Sequence, residues 1–359
     1  IEYSGLKDRH IYISYPPGTL LMIYSCARLL HPDNLIVFVK YFNLAVQLTT
    51  ALIIFALLSR FAGHLDVSQY ALAWPFLVLG PILYCCMPVT FYYHQNVFYA
   101  DQAIMVFFAL VVYMEYRRSI EKDTNIIRKT AYLCIVFFGV LVDWLLICVV
   151  GIICLFRAFS NPARSHGLKR VLYISELIFP MVAALGLFIF KVTYLGMWPE
   201  LTEKWMLRSF LGASMISTPR FYALFYSRYI VKGFGTLLPM AVIISFVFFI
   251  LARVYAWRAN KAILSRTAST ALYLGCISVV PALAHVTLLK QHSIIHDFSA
   301  LKFALAMSLI PLGITGLILI KYSKEISGKY YLRIVFILCA GCVLFTGILL
   351  QAYRHRNVY

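Results

Sequence analysis

The sequence predicts an all-α polytopic membrane protein: a bundle of about eight full transmembrane helices, one pair of short helices, and interfacial helices on the outer face. Three observations lead to the all-α membrane class. Of 359 residues, 62% are hydrophobic and 13% charged, whereas a soluble domain is about half apolar and a quarter charged. The apolar residues come in repeated stretches of roughly the 20 residues that a helix needs to span ~30 Å of hydrocarbon. These stretches are continuous rather than alternating. That excludes a barrel, the other fold that satisfies every backbone polar group in lipid.

Taken in order, the expected spans are 35–58, 70–90, 98–116, 171–194, 234–256, 269–289, 301–320 and 331–351. The cations orient them. Basic linkers hold Arg117, Arg118, Lys122, Arg128 and Lys129, then Arg157, Arg164, Lys169 and Arg170. Further along come Arg253, Arg258, Lys261 and Arg266, then Lys321, Lys324, Lys329 and Arg333. These linkers are expected in the cytoplasm. The alternate connections 1–34, 89–97, 195–233 and 290–300, with the tail 352–359, then lie outside. Segment 195–233 carries cations too, but long loops translocate largely regardless of charge.

The stretch 131–157 is flanked by basic residues on both sides, so both flanks belong in the cytoplasm. It is expected to enter, turn near Asp143-Trp144 and return, with arms of ~12 residues or ~18 Å, too short to cross alone. The alternative is a single tilted span with Asp143 paired in the core. The whole of 1–359 is expected to be one transmembrane domain, with outer loops at 1–34 and 195–233. It opens on Ile1-Glu2-Tyr3 and is expected to lack an N-terminal first helix and the acidic motif of a first outer loop.

The net charge is +18, but the cations are spread between apolar runs rather than gathered into a patch, which argues against a nucleic-acid partner. The nine cysteines lie in or beside apolar runs without zinc-like spacing and read as small hydrophobes. No internal repeat of the kind that marks many transporters is visible.

Four polar features fall on the predicted outer side. In the first, Tyr15-Pro16-Pro17-Gly18 fixes an extended entry to a helix over 18–30. That helix is expected along the interface with Tyr24 and Arg28 at headgroup level. The second runs from Tyr92 to Asp101 and includes His94 and Tyr99. Asp101 opens a span, where a carboxylate either complements the helix dipole, ligates a metal or orients a hydroxyl. The third is Gln291 to Asp297. His292 and His296 share a helix face, and Asp297 is placed to hold a histidine tautomer. The fourth is 195–233, where Arg220, Arg228 and Lys232 stand among aromatics. They read either as anchors or as partners for the phosphate of a lipid.

Tyr15-Pro16-Pro17-Gly18, Tyr99-Ala100-Asp101-Gln102 and His292-x-x-x-His296-Asp297 together resemble the polytopic glycosyltransferases of the GT-C fold. The resemblance is to the dolichyl-phosphate-mannose–protein mannosyltransferase-like family, which includes the bacterial aminoarabinose transferases. It covers most of the chain in layout.

The resemblance implies transfer of a sugar, with inversion, from a polyprenyl-phosphate donor to a hydroxyl of a glycan, lipid or protein acceptor on the extracytoplasmic side of a cell membrane. The prokaryotic plasma membrane is preferred to the endoplasmic reticulum. A carboxylate serves as general base, and cations stabilise the departing lipid phosphate. In the family that base lies in the first outer loop, and Glu2 and Asp8 do not match it.

Asp101 matches the family's second acidic position, which positions acceptor or metal. It is therefore the expected catalytic residue, with His94, Tyr99, Asp143, His292, His296, Asp297 and Tyr15 lining the pocket. Arg220, Arg228 and Lys232 are expected at the donor phosphate. A divalent cofactor metal would draw on Asp101, His292 and His296. Asp143 lies where relatives commonly place a lysine between two short helices. The alternative function is a transporter or flippase for a lipid or anionic solute. A further reading is an inactive scaffold that binds lipid-linked glycans.

Overall fold

The computed structural model describes residues 17–63, 67–96, 100–159, 167–209 and 217–322. All regular structure among them is helical, and together they form an all-α membrane protein. The expected span 331–351, and Tyr15 and Tyr99, lie outside the described residues.

Helix α1 (Gly18–Leu30) begins directly after the proline pair, as the sequence predicts. Gly18 lies against the backbone of Leu141 and Val142, so close that any Cβ would collide with them. Helix α2 (Leu35–Ala62) is capped by Asn34, whose side chain accepts from the backbone N–H of Ile36 at 2.9 Å and of Val37 at 3.2 Å. This satisfies donors that a helix start leaves orphaned.

Helices α3 (Val67–Cys86) and α4 (Pro88–Asn96) meet at a 56° bend. Pro88 has no N–H to give the carbonyl of Tyr84 four residues earlier. The hydroxyl of Thr90 donates to that carbonyl instead, and also to the carbonyl of Met87 at 3.0 Å. Helix α5 (Ala100–Glu115) continues into a π turn at Tyr116–Ile120.

Helices α6 (Ile126–Val142) and α7 (Leu145–Phe159) form the predicted hairpin. Tyr132, near the start of α6, and Arg157, near the end of α7, both bond Glu115 at the end of α5. The pair therefore enters and leaves at one end of the bundle and turns at the other. Asp143 breaks it with extended backbone, φ −156° and ψ 149°. The arms have 17 and 15 residues, longer than the ~12 expected from the sequence, so α6 reaches about 25 Å. The extra length of α6 comes from its first turns. Asn125 caps the helix by accepting from the N–H of Arg128 at 3.2 Å, which draws the basic flank itself into the helix.

Next come α8 (Gly167–Tyr194), α9 (Trp198–Arg208), α10 (Thr218–Phe225), a π turn (Tyr226–Ile230) and α11 (Val231–Phe234). They are followed by α12 (Leu237–Arg258), α13 (Ala262–Leu288) and α14 (Lys290–Ile295). The last described stretch changes pitch repeatedly. A 3-10 turn (Asp297–Phe303) leads to α15 (Ala304–Ser308), a π turn (Leu309–Ile314) and α16 (Thr315–Tyr322).

Among the described residues, five helical stretches are long and apolar enough to cross a membrane: Leu35–Ala62, Val171–Tyr194, Leu237–Arg258, Ala262–Leu288 and Ser299–Lys321. The bent α3–α4 pair makes a sixth when counted as one span. Helix α5, with 16 residues, covers ~24 Å. Along α8 and α12, Phe179, Phe190, Ile243 and Leu251 point outward, as lipid-facing side chains do. Ser299–Lys321 is instead mostly enclosed by its neighbours. There Gly316 admits the ring of Phe76, which would overlap any Cβ.

Candidate functional site

Among the described residues, the buried acidic side chains lie at the two ends of the bundle. One end holds the hairpin tip, the start of α5, α4, the end of α13, α14 and the 3-10 turn that follows. Here the described parts of the polar features of the sequence approach one another.

Asp101 lies in the first turn of α5, buried, and is bonded to the ammonium of Lys302 from the 3-10 turn. Each is the other's compensation, since a lone charge at this depth is expensive. The neighbouring Gln102 donates its amide to the carbonyl of Tyr93 in α4, which fixes α4 against α5. His94 is buried on α4, with Nε2 3.2 Å from the hydroxyl of Tyr84. His94 and Asp101 thus belong to one end of the bundle, as predicted, and Lys302 joins them.

Asp143 occupies the hairpin tip, also buried. Its Oδ1 accepts from the N–H of Leu145 at 2.7 Å and lies 3.5 Å from Nε2 of His285 on α13. Its Oδ2 has no hydrogen-bond partner among the described residues. Beside it, Trp144 packs edge-on against Phe188 with ring centres 4.8 Å apart. Trp144 also lines a small cleft with Trp205 and Arg208 of α9 and His292 of α14. The predicted Asp143, His292 and 195–233 features therefore meet. Gly18 approaches the same tip, against Leu141 and Val142.

His292 and His296 face each other with ring centres 4.4 Å apart. Burial, reinforced by His296, Arg208 and His285, pushes the His292 imidazole down to about 3, so it is neutral at physiological pH. Asp297 begins the 3-10 turn that carries Lys302. Among the described residues, no three His, Cys, Asp or Glu side chains come together as metal ligands. The set Asp101, His292 and His296 is therefore not assembled as a metal centre: Asp101 is held by Lys302, and the two histidines hold each other.

From α10 to α11 the apolar side chains face this end. Phe221, Phe225, Ile230 and Phe234 are buried, and Phe225 reaches Phe303, the residue after Lys302, at 6.1 Å between ring centres. The hydroxyls of Tyr222 and Thr287 bond at 2.8 Å. Arg220, Arg228 and Lys232 lie on the exposed side of the segment. They stand above the site rather than inside it.

Lys302 and His285 are the site residues that reading the sequence missed. Both left a signal, an ionisable residue inside an otherwise apolar span, which in a membrane protein marks function by default.

The opposite end is built around Glu115. Its carboxylate accepts from Arg157 (2.5 and 3.3 Å), Tyr132 (2.9 Å), Tyr273 (2.7 Å) and Ser119. The cations of the linkers surround this end. Arg118 and Lys129 both bind Glu176, and Arg117 and Arg128 both bind Asp123.

Comparison with family models, with curated proteins and with solved structures finds no match to this chain.

Proposed function

We propose that the protein is a membrane glycosyltransferase of GT-C-like architecture that moves a sugar from a polyprenyl-phosphate donor to an acceptor hydroxyl on the extracytoplasmic side. The observation that carries this reading is the pairing of two buried carboxylates with two buried bases, Asp101 with Lys302 and Asp143 with His285, at one end of the bundle. Sugar transfer from a lipid phosphate needs a carboxylate to take the acceptor proton and a cation for the departing phosphate. Asp101 and Asp143 offer the first, and Lys302 the second. The exposed Arg220, Arg228 and Lys232 suit a donor arriving from the lipid surface. The basic linkers at the far end support a cytoplasmic assignment for that face.

Asp101→Asn keeps the shape of the side chain and removes its charge. We expect the full-length variant, with unfolding checked in detergent, to lose transfer from a polyprenyl-phosphate sugar by on the order of a hundredfold or more. Unchanged turnover in a folded variant removes Asp101 from the mechanism.

One feature favours a transporter as the second reading. The enclosed stretch 297–322 alternates between 3-10, α and π pitch, and discontinuous helices build transporter sites. Sugar transfer in detergent, with no gradient and no second compartment, separates the two. Labelling from each side of sealed vesicles tests the orientation: residues 101 and 296 must respond from the same face.

A further inference from the structure

The Glu115 end contains a cavity of about 680 Å3 that the proposed transfer does not use. Its walls come from the π turn after α5 and from α7, α8, α12 and α13. Arg118, Lys122, Arg157, Arg253 and Arg266 all line it, and among the described residues no acidic side chain does.

The five cations are not equivalent. Arg157 is spent on Glu115, donates to the Tyr173 carbonyl at 2.7 Å and lies 3.8 Å over the Tyr173 ring. It is a fixed floor. Arg118 is held by both oxygens of Glu176, at 3.3 and 3.2 Å. Lys122, Arg253 and Arg266 meet no carboxylate among the described residues, although they share the cavity. Ser269 and Thr124 add hydroxyls, while Phe156 and Leu272 give the cavity an apolar wall. Three uncompensated cations around one concavity repel each other unless an anion joins them. A phosphate monoester carries about −1.5 to −2 charges at pH 7 and three strong acceptor oxygens, and guanidinium groups match its geometry.

We propose that this cavity binds a phosphate monoester, held by Arg253, Arg266 and Lys122, at the end of the bundle opposite the transfer site. The ligand is either the headgroup of a lipid or a free phosphate. This site goes beyond the transfer reading and stands without it.

The test uses the full chain in phosphatidylcholine nanodiscs, titrated by calorimetry with short-chain phosphatidic acid and separately with inorganic phosphate. Short-chain phosphatidylcholine is the control. Saturable binding of phosphatidic acid or phosphate is expected, weakened by added salt. The double variant Arg253→Gln/Arg266→Gln should lower affinity at least about tenfold. Both side chains are exposed, so its unfolding temperature should match that of the wild type, and Arg253→Lys/Arg266→Lys should recover much of the binding. If inorganic phosphate displaces the lipid, the site reads phosphate alone; if it does not, the site reads the lipid headgroup. Binding of neither probe, or equal binding to the Gln variant, overturns the proposal. Asp101→Asn should leave this binding unchanged, so failure of the transfer reading and failure of the site remain distinguishable.

Discussion

Glu115 and Asp143 are both fully buried carboxylates in an apolar bundle, yet the chain surrounds them differently. Glu115 receives a guanidinium, two phenols and a serine hydroxyl, which leaves its lone pairs well occupied. Asp143 receives one backbone N–H and a distant imidazole, with one oxygen unpartnered among the described residues. The first arrangement satisfies a charge in order to tie α5, α6, α7 and α13 together. The second leaves capacity unused at the end of the bundle that also holds Asp101 and Lys302. Completeness of hydrogen bonding, rather than burial, separates the two carboxylates.

The largest effect should come from breaking the tie. Glu115→Ala strands the Arg157 charge in the interior and should cost about 3–5 kcal/mol of stability, read as a large fall in the detergent unfolding midpoint. Adding Arg157→Met should recover much of it, because the stranded charge is then gone. Next comes the anchor beneath the hairpin tip. Gly18→Ala forces α1 away from Leu141 and Val142 and should cost about 1–3 kcal/mol by overpacking, measured the same way.

His292 gives a pH-dependent contrast. Its proton affinity is lowered in the folded state, to about 3, against about 6.5 unfolded. The unfolded chain therefore binds the proton first. The contribution of His292 is intact above about pH 6.5 and is lost progressively as pH falls toward 3. His292→Gln should flatten the acid limb of the midpoint-versus-pH curve, and an unaltered limb would refute the assignment.

The smallest stability effect should come from Asp143→Asn. The amide oxygen still accepts from Leu145, and no charge remains to be desolvated. A midpoint within about 1 kcal/mol of wild type, together with transfer reduced at least about tenfold, is the outcome that sharpens the contrast. A collapse like that of Glu115→Ala would erase it.

Much of the architecture was legible in the sequence. The proline pair located the start of α1, and matching basic flanks pointed to the hairpin, with a single tilted span as the alternative, before any contact was known. Hairpin length was less legible, because helix propensity at Arg128-Lys129 depends on the Asn125 cap rather than on hydropathy. At the site, span counting put Asp101, His94 and the His292–His296 pair on one side of the membrane, and the structure brings them to one end of the bundle. Their partners were not. Lys302 and His285 sit 201 and 142 residues away in sequence from the groups they meet, so only packing reveals the pairing. The enclosed position of Ser299–Lys321 was equally hidden, since its composition matches a lipid-facing helix.

The α6–α7 hairpin also bears on how the chain is threaded into a bilayer. A segment that departs from one face and returns to it contributes nothing to the parity of crossings. Everything downstream of Phe159 therefore keeps the compartment it would have if residues 126–159 were excised. The chain can lengthen, shorten or reshape this arm, and with it the position of Asp143, without inverting any later helix.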